Sequence, residues 1–286
     1  MRVNLSAHGA AIAGVFVADK NGSVADVTVQ AGESAGKTIG RYANRIARGE
    51  LPIDGTIFAL AVNEGRNTLH GGPDGFSKRE WQTAAQSDSS AEFVLHSPDG
   101  DQGFPGAMEC RIRYAWNDAG ELRLEYTATT GKPTVVNLTN HVYFNLSGGG
   151  AAVDISQHEL QIAASSYTPL DGELIPTGEI LPVEGTAYDF RAAKPIGAEK
   201  YDVNFAIDGW DGSLRYAARA RDPQSGRNIT VETTQPGLQL YTGKPGAFAL
   251  ETQHFADSPH HPNFPSTLLR PGEVFRSTTI YRFGNG

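Results

Sequence analysis

The 286-residue sequence has a single cysteine, Cys110, so no disulfide can close within the chain and no cysteine-based zinc site can be assembled. It has no basic surplus: 24 Lys and Arg stand against 32 Asp and Glu, a formal net charge of -8. Nucleic-acid binders neutralise phosphates with clustered cations, so nucleic acid is not an expected partner. No apolar run reaches the length of a membrane helix. No stretch keeps a helical period beyond a turn or two, and no internal repeat or low-complexity linker divides the chain. Residues 9–18 are small and apolar behind Arg2, somewhat like a secretory signal. Polar Asn4, Ser6 and His8 interrupt the front of that stretch and Asp19 follows at once, so a buried strand and a cytoplasmic location are expected.

Turns, by contrast, are abundant. There are 33 Gly and 16 Pro, and the pairs Asn21-Gly22, Asp54-Gly55, Asp99-Gly100 and Asp171-Gly172 suit tight reversals. Short alternating runs lie between them. Met108, Cys110, Ile112, Tyr114 and Trp116 fall on one face of a predicted strand, and Leu122, Leu124 and Tyr126 on one face of the next, after the turn at residues 117–120. Ile229 and Val231 mark a later strand, and Thr279, Tyr281 and Phe283 a last one. Short strands with Gly/Pro turns indicate an all-β sandwich or barrel. One large antiparallel β domain over residues 1–286 is the economical reading.

The most unusual stretch is Asn137 to Leu146. With a two-residue period, Asn137, Thr139, His141, Tyr143 and Asn145 share one face, and Leu138, Asn140, Val142, Phe144 and Leu146 the other. Asn is depleted from strands, so this concentration needs a reason. One is a bulged edge strand with satisfied amides. The other is a concave face that grips a polyhydroxylated ligand, with His141 placed for proton transfer. Asn44-Arg45 offers a fork of donors for hydroxyl oxygens, though surface arginines are common. In Leu69-His70-Gly71-Gly72 the glycines let the backbone turn sharply and leave the imidazole open. Residues 97–106 contain two aspartates but too few oxygens in any calcium-loop spacing, and read as turn chemistry. Asp202 orients a sugar hydroxyl pair or caps a turn. Gln239 and Tyr241 share a face, and Glu251 has no basic partner in sequence. The pair His260-His261 lacks metal-site spacing and is expected to be solvated.

Taken in order, Gly40-Arg-Tyr-Ala-Asn-Arg, Leu69-His-Gly-Gly, Ser97-Pro-Asp-Gly-Asp-Gln-Gly-Phe-Pro-Gly, Asn137-Leu-Thr-Asn-His-Val-Tyr-Phe-Asn-Leu, Tyr201-Asp-Val-Asn-Phe, Gln235-Pro-Gly-Leu-Gln-Leu-Tyr-Thr-Gly and Leu250-Glu-Thr-Gln resemble the aldose 1-epimerases, or galactose mutarotases, from about Gly9 onward. The resemblance implies a large antiparallel β-sandwich of the galactose mutarotase type, with a sugar cleft on one face. It implies His141 as general acid and Glu251 as general base. Asn44, Arg45, His70, Asp202 and Gln239 match positions that hold sugar hydroxyls, and Tyr143 lines the same cleft. Three departures stand out: a late start to the chain, Val203 where the family often has His, and a short segment between Gly243 and Glu251.

The implied partner is a free aldose, and the reaction interconverts its α and β anomers. A proton leaves the C1 hydroxyl and one is delivered to the ring oxygen. The ring opens, C1 turns about its bond to C2, and closure occurs on the other face. No electron or group is transferred, so neither cofactor nor metal is expected. Reference pKa values of about 4.3 for Glu and about 6.5 for His make Glu251 the proton acceptor at neutral pH, with His141 held as an imidazolium donor by a nearby carboxylate. Two rivals use the same residues. A non-catalytic carbohydrate-binding protein would bind sugar without a rate effect. A glycoside hydrolase would use Asp202 and Glu251 as its carboxylate pair.

Overall fold

The structure is a computed structural model that describes residues 1–286. It contains no α-helix, only three-residue 3₁₀ turns between strands. The turn chemistry acts as the sequence suggests where the φ angles demand it. Asp54 and Gly55 sit at φ 49° and 80° between Glu50–Ile53 and Thr56–Ala59, the two left-handed positions of a two-residue hairpin. Asp171-Gly172 differs. Gly172 is not left-handed, and the Asp171 carboxylate instead accepts the Glu173 and Ile175 N–H groups at 2.8 and 3.0 Å.

Two sheets dominate. The larger has nine strands in the spatial order Lys194–Pro195, Glu159–Ile162, Arg215–Arg221, Asn228–Thr233, Phe275–Gly284, Glu121–Thr130, Met108–Trp116, Ser90–Ser97 and Gln82–Ser87. The smaller has six: Tyr143–Phe144, Phe248–Gln253, Gly237–Tyr241, Asp202–Ala206, Ser166–Thr168 and Leu181–Pro182. Neighbouring strands in both are antiparallel. The fold is therefore the all-β sandwich expected. Residues 9–18 form no signal-like helix: Ala11–Ala18 is a largely buried strand between Arg2–Ser6 and Val24–Asp26.

The alternation of side chains decides which face does what. Cys110, Ile112, Tyr114, Leu122, Leu124 and Tyr126 from the large sheet are buried in one core. Val203, Phe205, Leu238, Leu240, Phe248 and Leu250 enter the same core from the small sheet. That core runs from Val3 to Phe283. Residues of opposite parity on the small sheet, including Asp202, Gln239, Tyr241 and Glu251, face away from it.

The loop at residues 97–106 is structural. The buried Arg41 guanidinium donates to the Pro105 and Gly106 carbonyls at 2.9 Å each and to Ser97 Oγ at 2.6 Å. Asp101 takes Arg79 and the Ser97 hydroxyl, and Asp99 takes the Gly106 N–H and Lys132. Both carboxylates are therefore engaged within the fold.

Gly36 couples this frame to the residues above it. It stands at φ +70°, its N–H donates to the His141 carbonyl at 2.9 Å, and an added Cβ would lie 2.0 Å from the Ile12 carbonyl oxygen. Gly36→Ala is expected to lose roughly 1–3 kcal/mol from backbone strain alone. Gly172→Ala, with open space around it and no left-handed φ, should stay within about 0.5 kcal/mol. Urea denaturation of the two variants checks the contrast.

Candidate active site

Three neighbouring strands present the first group of side chains. Gln239 is paired with Glu251 on one side and with Asn204 on the other, and Asp202 is paired with Tyr241. Their apolar neighbours are committed to the core, so Asp202, Gln239, Tyr241 and Glu251 project to the opposite face. Tyr143 joins from the edge strand through its pairing with Ala249. Just before it, His141 leaves the sheet: its N–H donates to the Lys37 carbonyl and its carbonyl accepts from Gly36, both at 2.9 Å.

A second group comes from loops laid across this face. Arg45 pairs with Leu69, which brings residues 44–46 beside the histidine loop. Asn44 and His70 stand at φ 63° and 54°, and Gly71 and Gly72 at 83° and 95°. The Asn44 N–H donates to His70 Nδ1 at 3.1 Å. An accepting Nδ1 puts the imidazole proton on Nε2, where it serves as a donor. Burial, His141 and Arg45 hold His70 well below the usual histidine range, so it acts as a neutral ring.

All eight site residues singled out in the sequence, Asn44, Arg45, His70, His141, Tyr143, Asp202, Gln239 and Glu251, line one cleft of about 350 Å³. A larger groove of about 810 Å³, between Arg2, Phe16 and Phe283, holds none of them. Within the cleft His141 Nε2 approaches Glu251 Oε1, 110 positions further along the chain, at 3.6 Å, with both side chains buried. The Asp202 carboxylate accepts the Gln239 amide at 2.6 Å and lies 4.0 Å from Arg45 Nη1. Tyr143 is raised above the usual phenol range by burial and by Glu251, which keeps it a neutral hydroxyl donor.

The charge state of the central pair departs from reference values. Burial pushes the Glu251 carboxyl well above the carboxylate range, reinforced by Asp202. Burial also lowers His141 to about 4, with Lys244 acting in the same direction. Desolvation disfavours the charged form of each group. Both shifts therefore favour one arrangement of a shared proton, a carboxylic acid facing a neutral imidazole, rather than the carboxylate and imidazolium that free-solution values suggest.

The asparagine-rich stretch proves to be divided. Only Thr139–Asn140 and Tyr143–Phe144 are strand, and of the polar row only His141 and Tyr143 line the cleft. Asn137 donates to the Ala43 and His254 carbonyls at 3.2 and 3.1 Å and accepts the His254 N–H at 2.9 Å. Asn145 donates to the carbonyls of Gly150, Val153 and Gly246. These amides bind loop backbone, which the satisfied-amide alternative anticipates. The expectation for His260 and His261 is corrected. Their side chains are 19% and 18% exposed and both approach the buried Asp257 carboxylate, at 2.6 and 3.4 Å. Asp257 in turn accepts the Ala47 N–H and donates its own N–H to the Arg45 carbonyl, so the cluster braces the backbone that carries Arg45. Sequence reading also passes over Glu64 and Lys244, which line the cleft. Glu64 lies in a polar, turn-like stretch next to Arg66, and nothing local separates it from a solvated surface acid.

Fold and cleft together define a β-sandwich protein with a buried carboxyl–imidazole pair set in a polar groove. The family model for aldose 1-epimerase matches residues 1–282. The chain is 39% identical to the galactose mutarotase of Homo sapiens over 99% of this chain and 91% of that one. It is 40% identical to the aldose 1-epimerase of Escherichia coli K12 over 87% of this chain and 79% of that one. An aldose epimerase homologue from C. elegans superposes with a TM-score of 0.92 at 29% identity, covering 99% and 95% of the two chains. A galactose 1-epimerase from Lactobacillus acidophilus gives 0.84 at 25%, covering 99% and 91%. The chain belongs to the aldose 1-epimerase family.

Asn137→Ala tests the stapling role of that amide. It would leave three backbone groups, one buried and two part-buried, without their partner, and a loss of order 1–3 kcal/mol is expected. Thermal and urea unfolding measure it.

Proposed function

We propose that this protein is an aldose 1-epimerase that interconverts the α and β anomers of a free hexose through His141 and Glu251. The observation that carries this reading is the 3.6 Å approach of His141 Nε2 to Glu251 Oε1 inside a cleft also lined by Asn44, Arg45, His70, Asp202 and Gln239. The two oxygens that must exchange protons, O1 and the ring oxygen O5, are bonded to the same carbon. An acid and a base that serve them must sit side by side, within hydrogen-bond reach of one hemiacetal.

Once the shared proton has moved from Glu251 to His141, Glu251 as carboxylate takes the O1 proton while His141 as imidazolium gives its proton to O5. The C1–O5 bond breaks, C1 becomes the aldehyde carbon, and no atom leaves. Both protein groups are then neutral. Rotation about C1–C2 turns the other face of the carbonyl toward the O5 hydroxyl. Closure returns the O5 proton to His141 and the Glu251 proton to O1, which restores the starting pair. Burial favours the neutral pair and so lowers the free energy of the open-chain stage relative to the closed rings. The same two groups run the reaction in both directions, and the chemistry calls for no redox or group-carrying partner.

Asn44, Arg45, His70, Asp202 and Gln239 are proposed to hold the sugar hydroxyls, and Tyr143 to form part of the cleft wall. No helix of the protein is long and apolar enough to cross a membrane, and a cytoplasmic location fits a free-sugar substrate. The hydrolase alternative receives less support. Asp202 is engaged with Gln239, while Glu251 approaches an imidazole.

Polarimetry of freshly dissolved α-D-galactose and α-D-glucose provides the test. The protein should speed the approach to equilibrium, and Glu251→Gln or His141→Asn should each lower kcat by about 10²–10⁴. Unchanged rates in either variant would refute the assignment. The pH profile follows from the pair holding one proton. Activity should fall on the acid side as His141, lowered to about 4, takes a second proton and no base remains. It should fall on the alkaline side as the raised Glu251 carboxyl loses the last proton and no acid remains. A plateau between these limits, extending well below pH 6.5, is the expected shape in a polarimetric pH series.

A further inference from the structure

The groove wall opposite the acid–base pair is organised by a carboxylate that the proposed mechanism does not use. Glu64 takes Arg45 in a two-point ion pair, Nε to Oε2 at 2.5 Å and Nη2 to Oε1 at 2.9 Å. The Arg45 side chain is 8% exposed and that of Glu64 36%, so the pair lies at the cleft wall with Arg45 on the inner side. Arg45 Nη1 contacts Asn44 Oδ1 at 3.4 Å and stops 4.0 Å short of Asp202 Oδ2. Asp202 meanwhile keeps its other oxygen on Gln239 at 2.6 Å.

We propose that Glu64 is a positioning and specificity-determining residue: it tethers Arg45 and holds open the Arg45–Asp202 gap as a subsite for one hydroxyl of the sugar. The inference rests on the aldose-binding reading of the cleft. A guanidinium in a groove is drawn to the nearest free carboxylate, and fork-to-fork pairing is its preferred geometry. Two carboxylates compete for Arg45. If Asp202 won, donor and acceptor would satisfy each other and close the space between them. With Nε and Nη2 spent on Glu64, the remaining edge of Arg45 faces Asp202 across a distance too long for a direct hydrogen bond. A hydroxyl placed between them accepts from Nη1 and donates to Oδ2, so both of its roles are met at once. An axial and an equatorial hydroxyl at one ring carbon point in different directions, and a subsite of this kind separates epimers. An aldose lacking the hydroxyl leaves both protein groups unpaired, which is the costly situation.

A double-mutant cycle on Glu64→Ala and Arg45→Ala decides the matter. It is followed by polarimetry on galactose, glucose and their deoxy analogues, with galactose affinity measured by calorimetry alongside. Glu64→Ala should raise KM and weaken galactose binding about tenfold, with kcat shifted far less, and should shrink the preference between epimers. In the Arg45→Ala background the second substitution should add nothing further, because a tether has no role without its load. Glu64→Gln should recover only part of the loss, since it cannot form the charged two-point pair. Unchanged KM and affinity in Glu64→Ala, or effects that simply add to those of Arg45→Ala, would overturn the proposal. A thermal midpoint lowered in step with the affinity loss would also overturn it, as the mark of a merely structural ion pair. Catalysis and tethering are read separately. Wild-type protein that binds galactose without speeding mutarotation defeats the epimerase reading, while the calorimetric cycle still judges Glu64.

Discussion

The site depends on burying a carboxyl against an imidazole with almost nothing else to neutralise either. Glu251 is 3% exposed and His141 6%, and their mutual approach is 3.6 Å. In water a glutamate and a histidine at neutral pH differ widely in proton affinity. In this cleft desolvation raises the carboxyl and lowers the imidazole, which reverses their usual order and favours the neutral pair. Ring opening by the charged pair then ends on the two neutral groups that burial favours. That preference arises from burial rather than from any special residue type.

Placing those groups is the work of the small sheet. Its strands give alternate residues to the two sides. Leu238 and Leu240, Val203 and Phe205, and Phe248 and Leu250 anchor it to the large sheet. Gln239, Asp202 and Glu251 are thereby forced to the other side in fixed register. A slip by one residue would send Glu251 into the core and a leucine into the groove, so core packing and site geometry are a single constraint. The loops that complete the groove are held by backbone-directed side chains: Asn137 ties residue 43 to residue 254, and Asp257 ties residues 45 and 47 to its own histidine pair.

Much of this was legible in the chain. The alternation at Met108–Trp116 and Glu121–Thr130, the Asp54-Gly55 hairpin and the absence of helical period all follow from local rules, and the sheets obey them. The eight site residues were found through ordered motifs, and each lines the groove. What stayed hidden has a common physical cause, because it depends on contacts between distant segments. Period groups Asn137 and Asn145 with His141, yet their amides are used on loop carbonyls that no local pattern identifies. The His260-His261 pair looked solvated because its carboxylate partner is structured by the backbone of residues 45–47. Glu64 carries no local mark at all, since its partner Arg45 lies 19 residues earlier in the chain. Charge states were equally out of reach, because reference pKa values describe exposed groups and both members of the pair are buried.

The central claim is that a single hemiacetal is served by both Glu251 and His141. A crystal structure of the protein with galactose bound tests it most directly. The account requires the Glu251 carboxyl and His141 Nε2 to lie within roughly 2.6–3.2 Å of O1 and O5 of the same sugar. A sugar bound with its anomeric carbon turned away from either side chain, or seated in a different groove, would contradict it.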